Sequence, residues 1–93
     1  YDTECSAYVI FGAETPENTP EAGIKRYQAC LKAVMETCLK EGGSISHHHG
    51  VGRAKSPWMK GEHGDAGWDV LVSLKKALDP NMILNPGSLG IKK

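Results

Sequence analysis

Residues 19–43 read TPEAGIKRYQACLKAVMETCLKEGG, and the parsing of the whole chain turns on this stretch. Thr19 carries a hydroxyl that can cap a helix, Pro20 suits the first helical position, and Glu21 puts negative charge in the first turn, where backbone N–H groups lack partners. Ile24, Tyr27, Leu31, Val34, Met35 and Cys38 then recur at three- and four-residue steps, so they fall on one stripe of a helix. Lys25, Lys32, Glu36 and Lys40 sit mostly off that stripe, and Gly42-Gly43 supplies the stop. The pattern predicts a helix over residues 20–41.

Upstream of this helix, Cys5, Ala7, Val9 and Phe11 alternate with Ser6, Tyr8 and Ile10. A period of two predicts a half-buried strand over residues 5–12, followed by a Pro-containing loop over 13–19. Downstream, residues 43–52 read GSISHHHGVG, which predicts a short strand over 44–47 running into a glycine-punctuated loop. Residues 53–64 are polar and irregular, with Pro57, Gly61 and Gly64, and predict only short helical pieces. Trp68, Leu71, Leu74 and Leu78 form the stripe of a second helix over 65–78, closed by Asp79-Pro80. Residues 81–90, NMILNPGSLG, read as an apolar turn and an Asn-Pro-Gly bend. The expected fold class is α+β, with antiparallel strands and two main helices. Two strands are too few for a stable sheet, so the pattern calls for further strands upstream or for a dimer.

Composition narrows the function. The 93 residues carry 11 Lys plus Arg and 11 Asp plus Glu, which argues against a nucleic-acid binder driven by bulk charge. The hydrophobic share of 40% and charged share of 24% suit a globular domain rather than a disordered one. The three cysteines, Cys5, Cys30 and Cys38, form no CxxC pair and no disulfide framework, so a reducing compartment is expected. The chain opens on Tyr1 without Met and reads as part of a longer polypeptide.

The chemistry concentrates at His47, His48 and His49. Such a triplet can be a plain surface stretch, a metal site, or an acid–base and substrate-binding group. On an extended backbone only His47 and His49 point the same way, and no carboxylate stands at a spacing that completes a shell, so no metal is expected. Gly50 and Gly52 let the backbone approach a ligand closely. Tyr8 is either a rim tyrosine of the core or a phenol that moves a proton in a pocket. Arg53 and Lys55 are either solvated or bind a phosphate or carboxylate. Trp58 and Trp68 read as packing residues, and no cysteine neighbours a base that would make it a nucleophile.

The strings GGSISHHHGVG and LDPNMILNPG, in this order, resemble the C-terminal end of FAD-linked oxidases of the vanillyl-alcohol oxidase-like superfamily. Dehydrogenase members of that group carry GEHG where this chain has His47-His48-His49-Gly50. The HHHG form and the Tyr1-Asp2…Tyr8 string resemble the alkyldihydroxyacetonephosphate synthases of ether-lipid synthesis. The resemblance covers nearly the whole chain. It implies the C-terminal part of the cap or substrate domain of a two-domain flavoenzyme, with the FAD pyrophosphate bound by a domain upstream. It implies that Tyr8 is the catalytic acid–base and that His47, His48 and His49 line the active site. Asn85 and Gly50 would then touch the cofactor and Arg53 the substrate. The implied reaction is redox-neutral exchange of the acyl group of acyl-dihydroxyacetone phosphate for a fatty alcohol. The alternatives are an FAD-dependent D-2-hydroxy-acid dehydrogenase of lactate or glycolate type, and a non-catalytic dimeric binding fragment. A homodimer in the cytoplasm, membrane-associated in the intact protein, is expected. Three features depart from the synthase pattern: Glu4 stands where Gly is expected, LNPGSLG is closer to the dehydrogenases, and Gly61-Glu62-His63-Gly64 falls past the loop.

Overall fold

The computed structural model describes residues 2–91. Helix α1 runs Pro20–Lys40 and helix α2 runs Met59–Leu78, with single 3-10 turns at Ser56–Trp58 and Ser88–Gly90. Two compact units divide the chain, one up to Val34 and one from Met35 onward, so α1 contributes to both. No helix among the described residues is long and apolar enough to cross a membrane.

The start of α1 follows its sequence. Thr19 Oγ1 accepts the Ala22 N–H at 3.3 Å and the Thr19 carbonyl accepts the Gly23 N–H at 3.0 Å, which satisfies donors that the helix itself leaves open. Its end is a Schellman turn. The Gly43 N–H reaches back to the Cys38 carbonyl at 2.8 Å and the Gly42 N–H to the Leu39 carbonyl at 3.1 Å. Gly42 holds φ 76°, a left-handed conformation that a side chain penalises, and a Cβ on Gly43 would lie 2.8 Å from Cys38 Sγ.

The expected α+β class is corrected by the structure: the described residues contain helices and turns and no strand. Residues 5–12 carry no regular secondary structure. The alternation is present, but a pleated face needs a partner strand to take its N–H and C=O groups, and none is supplied within the described residues. In consequence Ile10 is 95% exposed and Tyr8 65% exposed, with Val9 and Phe11 also open to solvent. Phe11 instead stacks on Tyr27 of α1, ring centroids 5.8 Å apart, within the first unit. The expected strand over 44–47 is a bent segment, for reasons given with the site below.

In the second unit the buried apolar residues are Met35, Ile45, Met59 and Ile91. They come from α1, from the segment before the histidines, from the first turn of α2 and from the C-terminal tail. Helix α2 starts earlier than the expected residue 65, because the Ser56-Pro57-Trp58 turn launches it at Met59. The glycines that read as irregular do interrupt it: Gly64 has φ 69° and ψ 175°, so two helical pieces meet at a kink there.

Asp79 ends α2 and shapes the tail. Its side chain, 5% exposed, accepts the Ile83 N–H at 3.1 Å on Oδ1 and the Leu84 N–H at 3.0 Å on Oδ2. The Lys75 ammonium, one turn back on α2, pairs with Oδ2 and also donates to the Leu84 carbonyl at 2.6 Å. Lys75 and these two amides hold the Asp79 carboxyl below the usual aspartate range, against the opposing effect of burial.

Two outcomes are expected. Gly42→Ala lowers unfolding stability by about 1 kcal/mol in denaturant titration, from left-handed strain with no steric clash, and Gly42→Asn loses less. Because the folded Asp79 carboxyl titrates below the ordinary value of 3.8, its contribution is complete above that value and is lost as pH falls through the lower, folded one. Asp79→Asn therefore flattens the acid limb of the stability–pH curve.

Candidate functional site

The histidine segment departs from a strand because its own side chains satisfy its backbone. Ser44 Oγ accepts the Ser46 N–H at 3.5 Å, and Ser46 Oγ donates to the Gly50 carbonyl at 2.7 Å. Local side-chain-to-backbone bonds of this kind compete with ladder pairing and favour bends. The Ser46–Gly50 bond spans the triplet, and Gly50 at φ 75° turns the chain back beneath it. Ile45, 3% exposed, anchors the segment in the core of the second unit while the histidines stand at the surface.

This bend overrides the alternation expected of an extended chain, and all three imidazoles converge. His47 and His48 stack with centroids 4.0 Å apart, His48 and His49 meet edge-on at 4.3 Å, and His47 and His49 at 5.2 Å. One nitrogen from each ring lies within 4.8 Å of the others, a span compatible with one shared cation, although every donor is solvent-exposed and no carboxylate joins the group. Crowding has an electrostatic consequence. Desolvation first, then His48, His49 and Lys55, lowers the proton affinity of His47 below the ordinary value of 6.5. A neutral His47 presents a lone pair that can accept a proton or hydrogen bond.

Basic residues flank the cluster. Lys55, half-buried, donates to Ser46 Oγ at 3.4 Å. Arg53 donates from Nη2 to the Pro86 carbonyl at 2.9 Å, so its guanidinium spans the gap between the glycine loop and the Asn-Pro-Gly bend. The Leu89 N–H to Gly52 carbonyl bond, 3.2 Å, closes the same junction. Asn85 lies on that bend, exposed, at φ 45°. His47, His48, His49, Gly50, Arg53 and Asn85 thus all belong to the second unit, whereas Tyr8 belongs to the first.

Three contributors escaped the sequence. Ser46 read only as part of the expected strand over 44–47, yet it makes the bond that bends the triplet. Glu62, read only as part of the Gly61-Glu62-His63-Gly64 string past the loop, lies on α2 and accepts the Ser44 hydroxyl proton. Asp79 read as a helix stop and proves to be a buried hub. The one available signal was the serine spacing, Ser44 and Ser46 around a single apolar residue, which favours short side-chain-to-backbone bonds.

An FAD pyrophosphate calls for a helix N-terminus or a glycine-rich cradle free of negative charge. Helix α1 opens instead with Glu21 in its first turn, and α2 opens behind Pro57 and Trp58 with Glu62 in its first turn. The described residues therefore offer no helix N-terminus of that kind to the phosphates.

The family model for "FAD linked oxidases, C-terminal domain" matches residues 1–89. The chain belongs to this family, a group of flavoprotein oxidoreductases and related enzymes. It is 39% identical to an alkyldihydroxyacetonephosphate synthase of Trypanosoma brucei brucei, over 91% of this chain and 13% of the relative. It is 38% identical to an FAD-linked oxidoreductase of Escherichia coli (strain K12), over 96% of this chain and 18% of the relative. A glycolate oxidase subunit of Bacillus subtilis is 35% identical over 74% of this chain and 15% of its own length. The chain thus spans less than a fifth of each of these relatives. No solved structure matches it.

Site-resolved carbethoxylation of neutral imidazoles, followed by mass spectrometry across pH, should place the His47 midpoint below 6.5, as its lowered proton affinity requires. A midpoint at or above 6.5 would contradict the packed triplet.

Proposed function

We propose that the full-length flavoenzyme carrying this domain exchanges the acyl group of acyl-dihydroxyacetone phosphate for a fatty alcohol. The observation that carries the reading is the triple-imidazole loop of His47, His48 and His49, whose HHHG form resembles the synthases. Similarity to relatives named alkyldihydroxyacetonephosphate synthase supports it. When bound, the flavin supplies the carrier chemistry that no side chain of this chain could.

The chain's own groups would serve the remaining needs. Removing a proton beside a carbonyl needs a placed base, and neutral His47 offers a lone pair for it. Expelling a carboxylate needs donors aimed at the leaving oxygen, which the imidazole N–H groups can provide. Tyr8, by resemblance, is the acid–base that hands a proton to or from the substrate. Arg53 has guanidinium donors beyond the one held by Pro86, which suit a phosphate. A second reading, oxidation of a D-2-hydroxy acid, is favoured by Asn85-Pro86-Gly87-Ser88-Leu89-Gly90 and by similarity to a glycolate oxidase subunit.

The deciding measurement supplies the FAD-loaded full-length protein with acyl-dihydroxyacetone phosphate and a labelled long-chain alcohol, with no electron acceptor. Label in an ether product is expected. Flavin bleaching by a D-2-hydroxy acid without label transfer would replace this reading by the second. In the same assay Tyr8→Phe and His48→Ala should each cut turnover on the order of a hundredfold with FAD still bound. The isolated 93-residue chain is expected to turn over neither substrate.

A further inference from the structure

The histidine loop is built from both sides, and the construction assigns roles to residues outside the triplet. From the front, Ser46 Oγ donates to the Gly50 carbonyl at 2.7 Å and so closes a ring across His47, His48 and His49. From behind, Lys55 Nζ donates to the same oxygen at 3.4 Å. A serine hydroxyl has one proton and two lone pairs, so it can serve both bonds at once. Lys55 itself returns to the loop through the turn in which its N–H meets the Val51 carbonyl at 3.3 Å. Ser46 is also held through its backbone: its N–H donates to Ser44 Oγ at 3.5 Å, while that hydroxyl gives its one proton to the Glu62 carboxylate of α2.

We infer that Ser46 and Lys55 are positioning residues, a two-bond relay from ammonium to hydroxyl to the Gly50 carbonyl that keeps the three imidazoles convergent on one face. The inference rests on the reading of the histidine loop as the reaction site and deepens it. Three adjacent side chains on an unrestrained surface loop would spread apart, because like-charged or dipolar rings gain nothing from crowding in water. The relay holds them together against this tendency. It also sets a positive charge near the cluster, in keeping with the lowered proton affinity of His47. The groups bearing on His47 are His48 and His49 from its own loop and Lys55 from the following turn.

The test uses the FAD-loaded full-length enzyme and four variants: Ser46→Ala, Ser46→Thr, Lys55→Met and Lys55→Arg. Ser46→Ala and Lys55→Met should lower kcat on the order of tenfold to a hundredfold, with KM and bound FAD little changed, since misdirected groups cost the reacting step more than binding. Ser46→Thr and Lys55→Arg keep the hydroxyl and the cation, and should recover activity to within about threefold of wild type. Carbethoxylation rates of His47, His48 and His49, measured without substrate, should rise toward that of His63 in the Ala and Met variants only. Unchanged histidine rates in those two variants, or failure of Thr and Arg to rescue them, overturns the relay. Absence of label transfer in the wild-type enzyme bears on the proposed reaction instead, because the histidine rates are read without any turnover.

Discussion

The Asp79 carboxylate is the constraint on which the second unit depends. It sits at the end of α2 with almost no exposure, and its charge is met by Lys75 and by two backbone amides of the tail. A buried carboxylate is tolerated only when it is paired and hydrogen-bonded in this way. Those bonds fold residues 80–84 back toward α2 and start the Asn-Pro-Gly bend. The bend then meets the glycine loop through Arg53 to Pro86 and Leu89 to Gly52. A Cβ on Gly90 would lie 3.0 Å from the Ser56 carbonyl, so the approach of tail to loop is close enough to require glycine. The loop so braced carries Lys55, and through Ser46 the histidines.

The histidine segment shows how a sequence with strand character becomes a site. Ile45 is buried as a strand residue would be, yet the serines on either side bond locally, and no strand among the described residues competes for the backbone. The cost of a bent backbone falls on Gly50, where positive φ carries no side-chain penalty. The result is a small cluster of titratable rings in mutual contact, with one of them disposed to stay neutral. Desolvation first, and the neighbouring His48, His49 and Lys55 after it, lower the proton affinity of that one ring, His47.

What could be read without coordinates follows the range of the forces involved. Helix α1 was legible to within a residue because its cap, its stripe and its glycine stop are all local signals. The late start assigned to α2 came from treating Gly61 and Gly64 as breakers, although one kink at Gly64 is all they impose. The strand over 5–12 failed for the opposite reason: alternation is a local property, but a strand is a pairwise one, and its partner does not lie within the described residues.

Membership of the FAD-linked oxidase family, and the residues that carry it, were set by the sequence alone. HHHGVG and LNPG are strings whose residue types and order carry the resemblance whatever the backbone does. Tertiary structure alone decided that His47, His48 and His49 face one another, that Ser46 and Lys55 hold them so, and that Asp79 is a buried hub as well as a helix stop. These facts rest on hydrogen bonds between residues up to 37 positions apart, as from Leu89 to Gly52, and on which groups lose water when the chain closes. Neither quantity is encoded in spacing, because each depends on where the other half of the contact comes to rest.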